Sequence, residues 1–77
     1  MYIMEAVGRR IKQIMQERGV SIYYLSRRSG LSPKCIQDLA KGKNKDANMM
    51  SILKLLKAFD LTLSEFFNDN DIKNSEL

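Results

Sequence analysis

Seventy-seven residues hold one domain and one hydrophobic core, and a chain this short buries only about 60% of the surface it exposes when unfolded. With no histidine and a single cysteine, Cys35, the composition leaves no histidine general base, no Cys/His zinc site and no internal disulfide. The net charge of +4 is uneven: residues 1–67 carry 12 Lys and Arg against 6 Asp and Glu, whereas residues 68–77 carry Lys73 against Asp69, Asp71 and Glu76, and a basic body suggests a polyanionic partner, nucleic acid first.

Ile3, Val7, Ile11, Ile14 and Met15 recur at helical spacing, and Gly19 after Arg18 reads as a C-terminal cap, so the spacing predicts a first helix ending there. Ser21 offers an N-cap oxygen to a second helix over 22–29, anchored by Leu25 and ended by Gly30. Leu31 plugs the turn. Ser32-Pro33 is a strong start signal, because serine suits the cap and proline the first helical position, whose N–H has no partner in any case. The third helix is expected over 33–41, with Ile36 and Leu39 inward and Gly42 beyond its end. Residues 41–48 read as a loop in which Asn48 caps a fourth helix, whose stripe is Met49, Ile52, Leu55, Leu56 and Phe59. Thr62 with Glu65 three residues on fits a capping box for a short fifth helix carrying Leu63, Phe66 and Phe67. The folded domain is expected to span residues 1–67. Residues 68–77 are expected to be a polar, acidic and frayed C-terminal tail.

The centre of the chain is two short helices joined at a glycine. Counted from Ile22, Leu25 is fourth, Ser26 fifth, Gly30 ninth, Leu31 tenth, Ile36 fifteenth and Leu39 eighteenth. Two helices that cross steeply need a small residue where one passes over the other, a residue that permits the turn, and two anchors on the second helix. A helix held this way stands proud of the domain and can enter the major groove.

Residues 7–14 (VGRRIKQI), 25–32 (LSRRSGLS), 36–43 (IQDLAKGK) and 56–67 (LKAFDLTLSEFF) together resemble the helix-turn-helix domain of the phage Cro and C1 repressors, the XRE family. The resemblance implies an all-α fold, a compact five-helix bundle with a central helix-turn-helix of the lambda-repressor-like kind. It implies a transcriptional regulator, a small repressor that binds a pseudopalindromic operator in double-stranded DNA as a homodimer. Carried onto this chain, the base-reading positions are Pro33, Lys34, Gln37 and Asp38. Lys34 can donate to guanine O6 and N7, Gln37 can donate and accept, and Asp38 can accept from cytosine N4. Pro33 offers only shape or a thymine-methyl contact. Phosphate-contact candidates are Ser21, Tyr23 and Ser32 at helix starts and Lys41, Lys43, Asn44 and Lys45 after the third helix. Arg9, Arg10, Arg27 and Arg28 add to the positive field. The chain departs from the family at Ile22, where a phosphate-clamping glutamine is common. It departs again at Met15 and Ala40, where an arginine–glutamate pair is common; loss of both partners together leaves no buried unpaired charge.

The apolar residues Met50, Leu53, Leu63, Phe66 and Phe67, with Tyr2, Ile3 and Met4, are candidates for a dimer patch. Cys35 has no resolving partner, so a redox role finds no support. No cofactor, no metal and no small-molecule effector is expected, and no catalytic constellation stands out, so the chain reads as a non-enzyme. Without a signal peptide or an apolar run long enough for a membrane span, it reads as cytoplasmic with no membrane partner. A protein-interaction module such as an antitoxin or adaptor is the competing reading, favoured by Ile22 and Pro33, both poor DNA readers.

Overall fold

A computed structural model of the chain describes residues 2–43 and 49–76. Six helices follow one another: α1 (Ile3–Arg18), α2 (Ile22–Ser29), α3 (Pro33–Ala40), α4 (Met49–Phe59), α5 (Leu63–Phe67) and α6 (Asn70–Lys73). The all-helical class and the helix-turn-helix follow the sequence reading; the sixth helix does not.

Each long helix buries the face its spacing marks. α1 turns Ala6, Val7, Ile11 and Ile14 inward and ends at Gly19, whose left-handed backbone lets the Gly19 and Val20 N–H groups reach the Gln16 and Met15 carbonyls. The Ser21 and Ser32 hydroxyl oxygens accept from the N–H groups of Tyr24 (3.0 Å) and Cys35 (3.1 Å), so α2 and α3 start where side chains of the right chemistry stand. α5 carries the expected capping box: Glu65 N–H donates to the Thr62 hydroxyl at 3.1 Å and Thr62 N–H donates to the Glu65 carboxylate at 3.0 Å. That pairing, first through the Thr62 N–H and then through its hydroxyl, with Arg18 nearby, holds the Glu65 carboxyl below the usual glutamate range. The assignment of Asn48 as the cap of α4 lies outside the described residues.

α1 packs on α3 and α6, α2 on α3 and α4, and α5 on α4. Phe59, Phe66, Ile11, Leu25, Ile36, Leu39 and Leu55 are the largest fully buried side chains at the centre. Among the described residues no polar or charged side chain is buried, so apolar burial carries the core. Gly8 sits where α1 and α3 meet backbone to backbone: a β-carbon there would lie 2.6 Å from the Ala40 carbonyl oxygen.

The frayed tail expected after residue 67 is instead a turn of helix docked on α1. Asp69 accepts from Ile72 N–H at 3.2 Å as the N-cap, and Ile72 is buried in the same core cluster as Ala6 and Val7. Only Ile72 and Leu77 are apolar in that stretch, and two residues five apart leave no periodicity to read, so a polar composition hides the anchor. Two placements on apolar stripes also change: Met49 of α4 and Leu63 of α5 are exposed. Of the residues named for a dimer patch, Phe66 is fully buried, whereas Met50 and Leu63 are exposed.

Candidate nucleic-acid interface

α3 is fixed from below and free above. Leu25, Ile36 and Leu39 are fully buried, and α2 and α3 pack directly on one another. The turn between them is tied at two points. The Ser26 hydroxyl donates to the Leu31 carbonyl at 2.6 Å, and the Leu31 N–H donates to the Ser29 hydroxyl at 3.1 Å. Gly30, at φ 79°, takes the left-handed conformation that a side chain resists, and its N–H closes on the Ser26 carbonyl. Ser26 therefore does more than stay small beneath the crossing helix: it also holds the turn.

The four expected base-reading residues lie on the outer side of α3. Lys34 and Gln37 are exposed, and Pro33 and Asp38 are half-buried. Positions 37 and 38 lie about one helical turn beyond 34, so each neighbours Lys34 on the helix surface. None of the Lys34, Gln37 and Asp38 side chains has a hydrogen-bond or ion-pair partner among the described residues. Pro33 occupies the first helical position, as its ring geometry favours.

The expected phosphate contacts flank this face. Lys41 and Lys43 are exposed, and neither has an ion-pair partner among the described residues. Their backbone is tied to the end of α3: the Lys41, Gly42 and Lys43 N–H groups donate to the Gln37, Leu39 and Asp38 carbonyls at 2.9, 3.1 and 3.1 Å. Asn44 and Lys45 lie outside the described residues. Ser21 and Ser32 are exposed N-caps at the starts of α2 and α3. Tyr23 is 75% exposed, far more than a packing role demands, so its hydroxyl is free to reach a ligand. Tyr24 is less exposed, and the Arg28 guanidinium stacks 5.7 Å from its ring centre.

The structure also separates the arginines, which sequence alone leaves open. Arg10 donates to the Phe66 and Glu65 carbonyls, each at 3.1 Å, tying α1 to α5. Arg18 donates to the Phe59 carbonyl, and Arg9 pairs with Asp71 at 3.7 Å. These guanidinium groups serve the chain's own helix ends. No local pattern signals this, because the partners stand about forty to sixty positions away in sequence. Ile22 is half-buried against the core, so it packs where a clamping side chain would reach out. Met15 packs at the core edge, and Ala40 is buried, as a site with no ion pair requires.

Residues 10–71 match the model of the Cro/C1-type HTH DNA-binding domain. Among curated proteins, the chain is 36% identical over 64 residues to the HTH-type transcriptional regulators PuuR of Escherichia coli (strain K12) and of Shigella flexneri. The alignment covers 83% of this chain but 34% of each relative, so the chain spans about a third of their length. No solved structure matches the chain significantly.

Proposed function

The chain belongs to the Cro/C1-type helix-turn-helix DNA-binding domains, and from that premise we propose that it is a sequence-specific transcriptional regulator that inserts α3 into the major groove. One observation carries the reading. α3 presents Lys34, Gln37 and Asp38 without partners among the described residues, on a helix whose other face is locked into the core. Unpaired donors and acceptors on a rigid element are what base edges can select against.

In this reading Lys34 donates to a guanine, Gln37 pairs with an adenine or a neighbouring phosphate, and Asp38 accepts from a cytosine amino group. Pro33 supplies shape. Lys41 and Lys43, with Asn44 and Lys45 following in sequence, hold one strand's phosphates, and Ser21, Tyr23 and Ser32 hold phosphates at the helix starts. The exposed apolar side chains of Met50 and Leu63 support a homodimer, and a dimer implies a pseudopalindromic operator whose half-sites repeat with the helical turn. Occupying such a site blocks transcription, so the regulator acts as a repressor in the cytoplasm.

Selection of bound fragments from random duplex DNA tests this directly. The expected product is a site with two related half-sites about one helical turn, or a multiple of it, apart. Binding should weaken with salt, and Lys43→Ala should lower the salt slope by about one unit for every sequence. Absence of salt-sensitive binding at low salt overturns the reading. The protein-interaction reading, which Ile22 and Pro33 favour, then takes its place.

A further inference from the structure

We propose that residues 69–76 form a clasp that positions the turn at residues 41–43 through the first two turns of α1; this rests on the reading of Lys41 and Lys43 as phosphate contacts. The clasp joins the two ends of the described chain. Ile3 N–H donates to the Glu76 carbonyl at 2.7 Å, and Tyr2 pairs with Glu76 as an isolated parallel bridge. Ile72 is buried, Asp71 reaches Arg9, and the segment is closed on itself by Asp69, by Lys73 on Asn68 (2.8 Å) and by the Ser75 hydroxyl on the Ile72 carbonyl (2.6 Å).

The same stretch of α1 is the wall on which the turn rests. A β-carbon on Gly42 would lie 2.9 Å from the Glu5 Cα, 3.1 Å from the Met4 carbonyl oxygen and 3.2 Å from the Glu5 nitrogen. A β-carbon on Gly8 would meet the Gly42 nitrogen at 2.9 Å as well as the last carbonyls of α3. Turn and helix therefore touch backbone to backbone, with no side chain between them to absorb movement. Arg9 stands one residue, about 100°, further round the helix than Gly8, so clasp and turn grip different flanks of the same turns.

The first N–H groups of any helix lack intrahelical partners, and Ile3 meets this need through Glu76. With the clasp released, that donor is orphaned, Ile72 leaves its seat, and the first turn of α1 frays. Met4 and Glu5 then cease to define where Gly42 sits, and Lys41 and Lys43 lose their common placement. The bonds to the end of α3 and the approach of Gly8 to the Gly42 nitrogen remain, but the Met4 and Glu5 side of the seat is lost.

Duplex binding over a range of salt concentrations tests the clasp, at a temperature below the onset of each variant's cooperative thermal unfolding as followed by circular dichroism. Ile72→Ala should weaken binding and lower the salt slope by about 0.9 for each phosphate that is no longer neutralised. Ile72→Val should restore both. Adding Ile72→Ala to a Lys41→Ala/Lys43→Ala background should lower the slope no further. Asp69→Ala, which removes the α6 cap without opening a cavity, should act in the same direction, and it decides the question if Ile72→Ala does not fold. A lower melting temperature with an unchanged slope in the folded state overturns the clasp. If Lys41→Ala/Lys43→Ala itself leaves the slope unchanged, the phosphate reading falls and the clasp with it. If that pair lowers the slope while the clasp variants do not, the clasp alone is wrong.

Discussion

Gly8→Ala should destabilise the protein although alanine is the better helix former. The new β-carbon would stand 2.6 Å from the Ala40 carbonyl oxygen, 2.8 Å from that of Leu39 and 2.9 Å from the Gly42 nitrogen. Ordinary contact begins at 3.4 Å, so the closest approach falls short by about 0.8 Å. All three obstacles are backbone atoms, which no rotamer change can move. α1 and α3 must separate, and the side chains packed between them are drawn apart. Overpacking of this kind costs about 1–3 kcal/mol. The helix-propensity gain of alanine over glycine returns about 1 kcal/mol. With backbone rather than side-chain obstacles the cost belongs at the upper end, leaving a net loss of about 1–2 kcal/mol. In a domain of this size each kcal/mol moves the melting temperature by about 4–8 °C, so thermal denaturation followed by circular dichroism should show a fall of about 5–15 °C. Gly19→Ala is the control. Nothing lies within 4 Å of its β-carbon, and only its left-handed backbone, at φ 63°, opposes the change. That costs about 1 kcal/mol with no effect on the α1–α3 contact. Gly8→Ala should also weaken duplex binding at temperatures where it is folded, and Gly19→Ala should not. A Gly8→Ala protein that melts at or above the unsubstituted one would refute backbone contact between α1 and α3.

Lys34→Ala should cost about 1–3 kcal/mol at the selected site and relax one base position, measured by competition with single-base variants; uniform weakening on every sequence would make Lys34 a phosphate contact instead. Arg10→Ala removes two hydrogen bonds from a charged donor to the α5 carbonyls and should lower stability by about 1–2 kcal/mol in urea titration, with Arg10→Lys no better because an ammonium cannot span both acceptors; full rescue by lysine would contradict the two-carbonyl geometry. Glu65 is held more acidic in the folded state than in the unfolded chain, so its stabilising contribution is complete above the ordinary glutamate value of about 4.3 and is lost as pH falls through the lowered folded value. The melting-temperature gap between the unsubstituted protein and Glu65→Gln should therefore narrow below about pH 4, and a gap that stays constant down to pH 3 would remove the capping-box origin of the shift.

What could be read from the sequence was whatever is decided within a turn or two of chain. Ser21, Ser32 and the Thr62–Glu65 box announce helix starts because cap and recipient stand three residues apart. Gly30 and the positions counted from Ile22 announce the paired helices because the crossing geometry fixes their spacing. Long-range partners leave no such mark. The sequence treats Gly8 as an ordinary residue on a helix, and only the close approach of α3 explains why a side chain is absent there. Arg10 and Arg18 look like field charges until their carbonyl partners come into view. α6 escapes because one turn with a single buried isoleucine has no amphipathic period, and the bond that ties down the segment after it, from Ile3 N–H to the Glu76 carbonyl, joins residues far apart in sequence.

The division of cations bears on what kind of reader this domain can be. Arg9, Arg10 and Arg18 are spent on the chain's own carboxylate and carbonyl groups, where a planar fork suits fixed acceptors. Among the described residues, the cations left without partners on α3 and at its end are Lys34, Lys41 and Lys43, compact point charges with freely rotating donors. Point charges hold phosphates well but impose little geometry, so they raise affinity and salt dependence on any duplex. In the proposed reading α3 carries no arginine fork for guanine, and discrimination would rest on Lys34, Gln37 and Asp38. Asp38 then matters more by exclusion than by attraction. A carboxylate at that place accepts from a cytosine amino group and repels purine acceptors and misplaced phosphates, which is how a lysine-rich surface can still refuse most sequences.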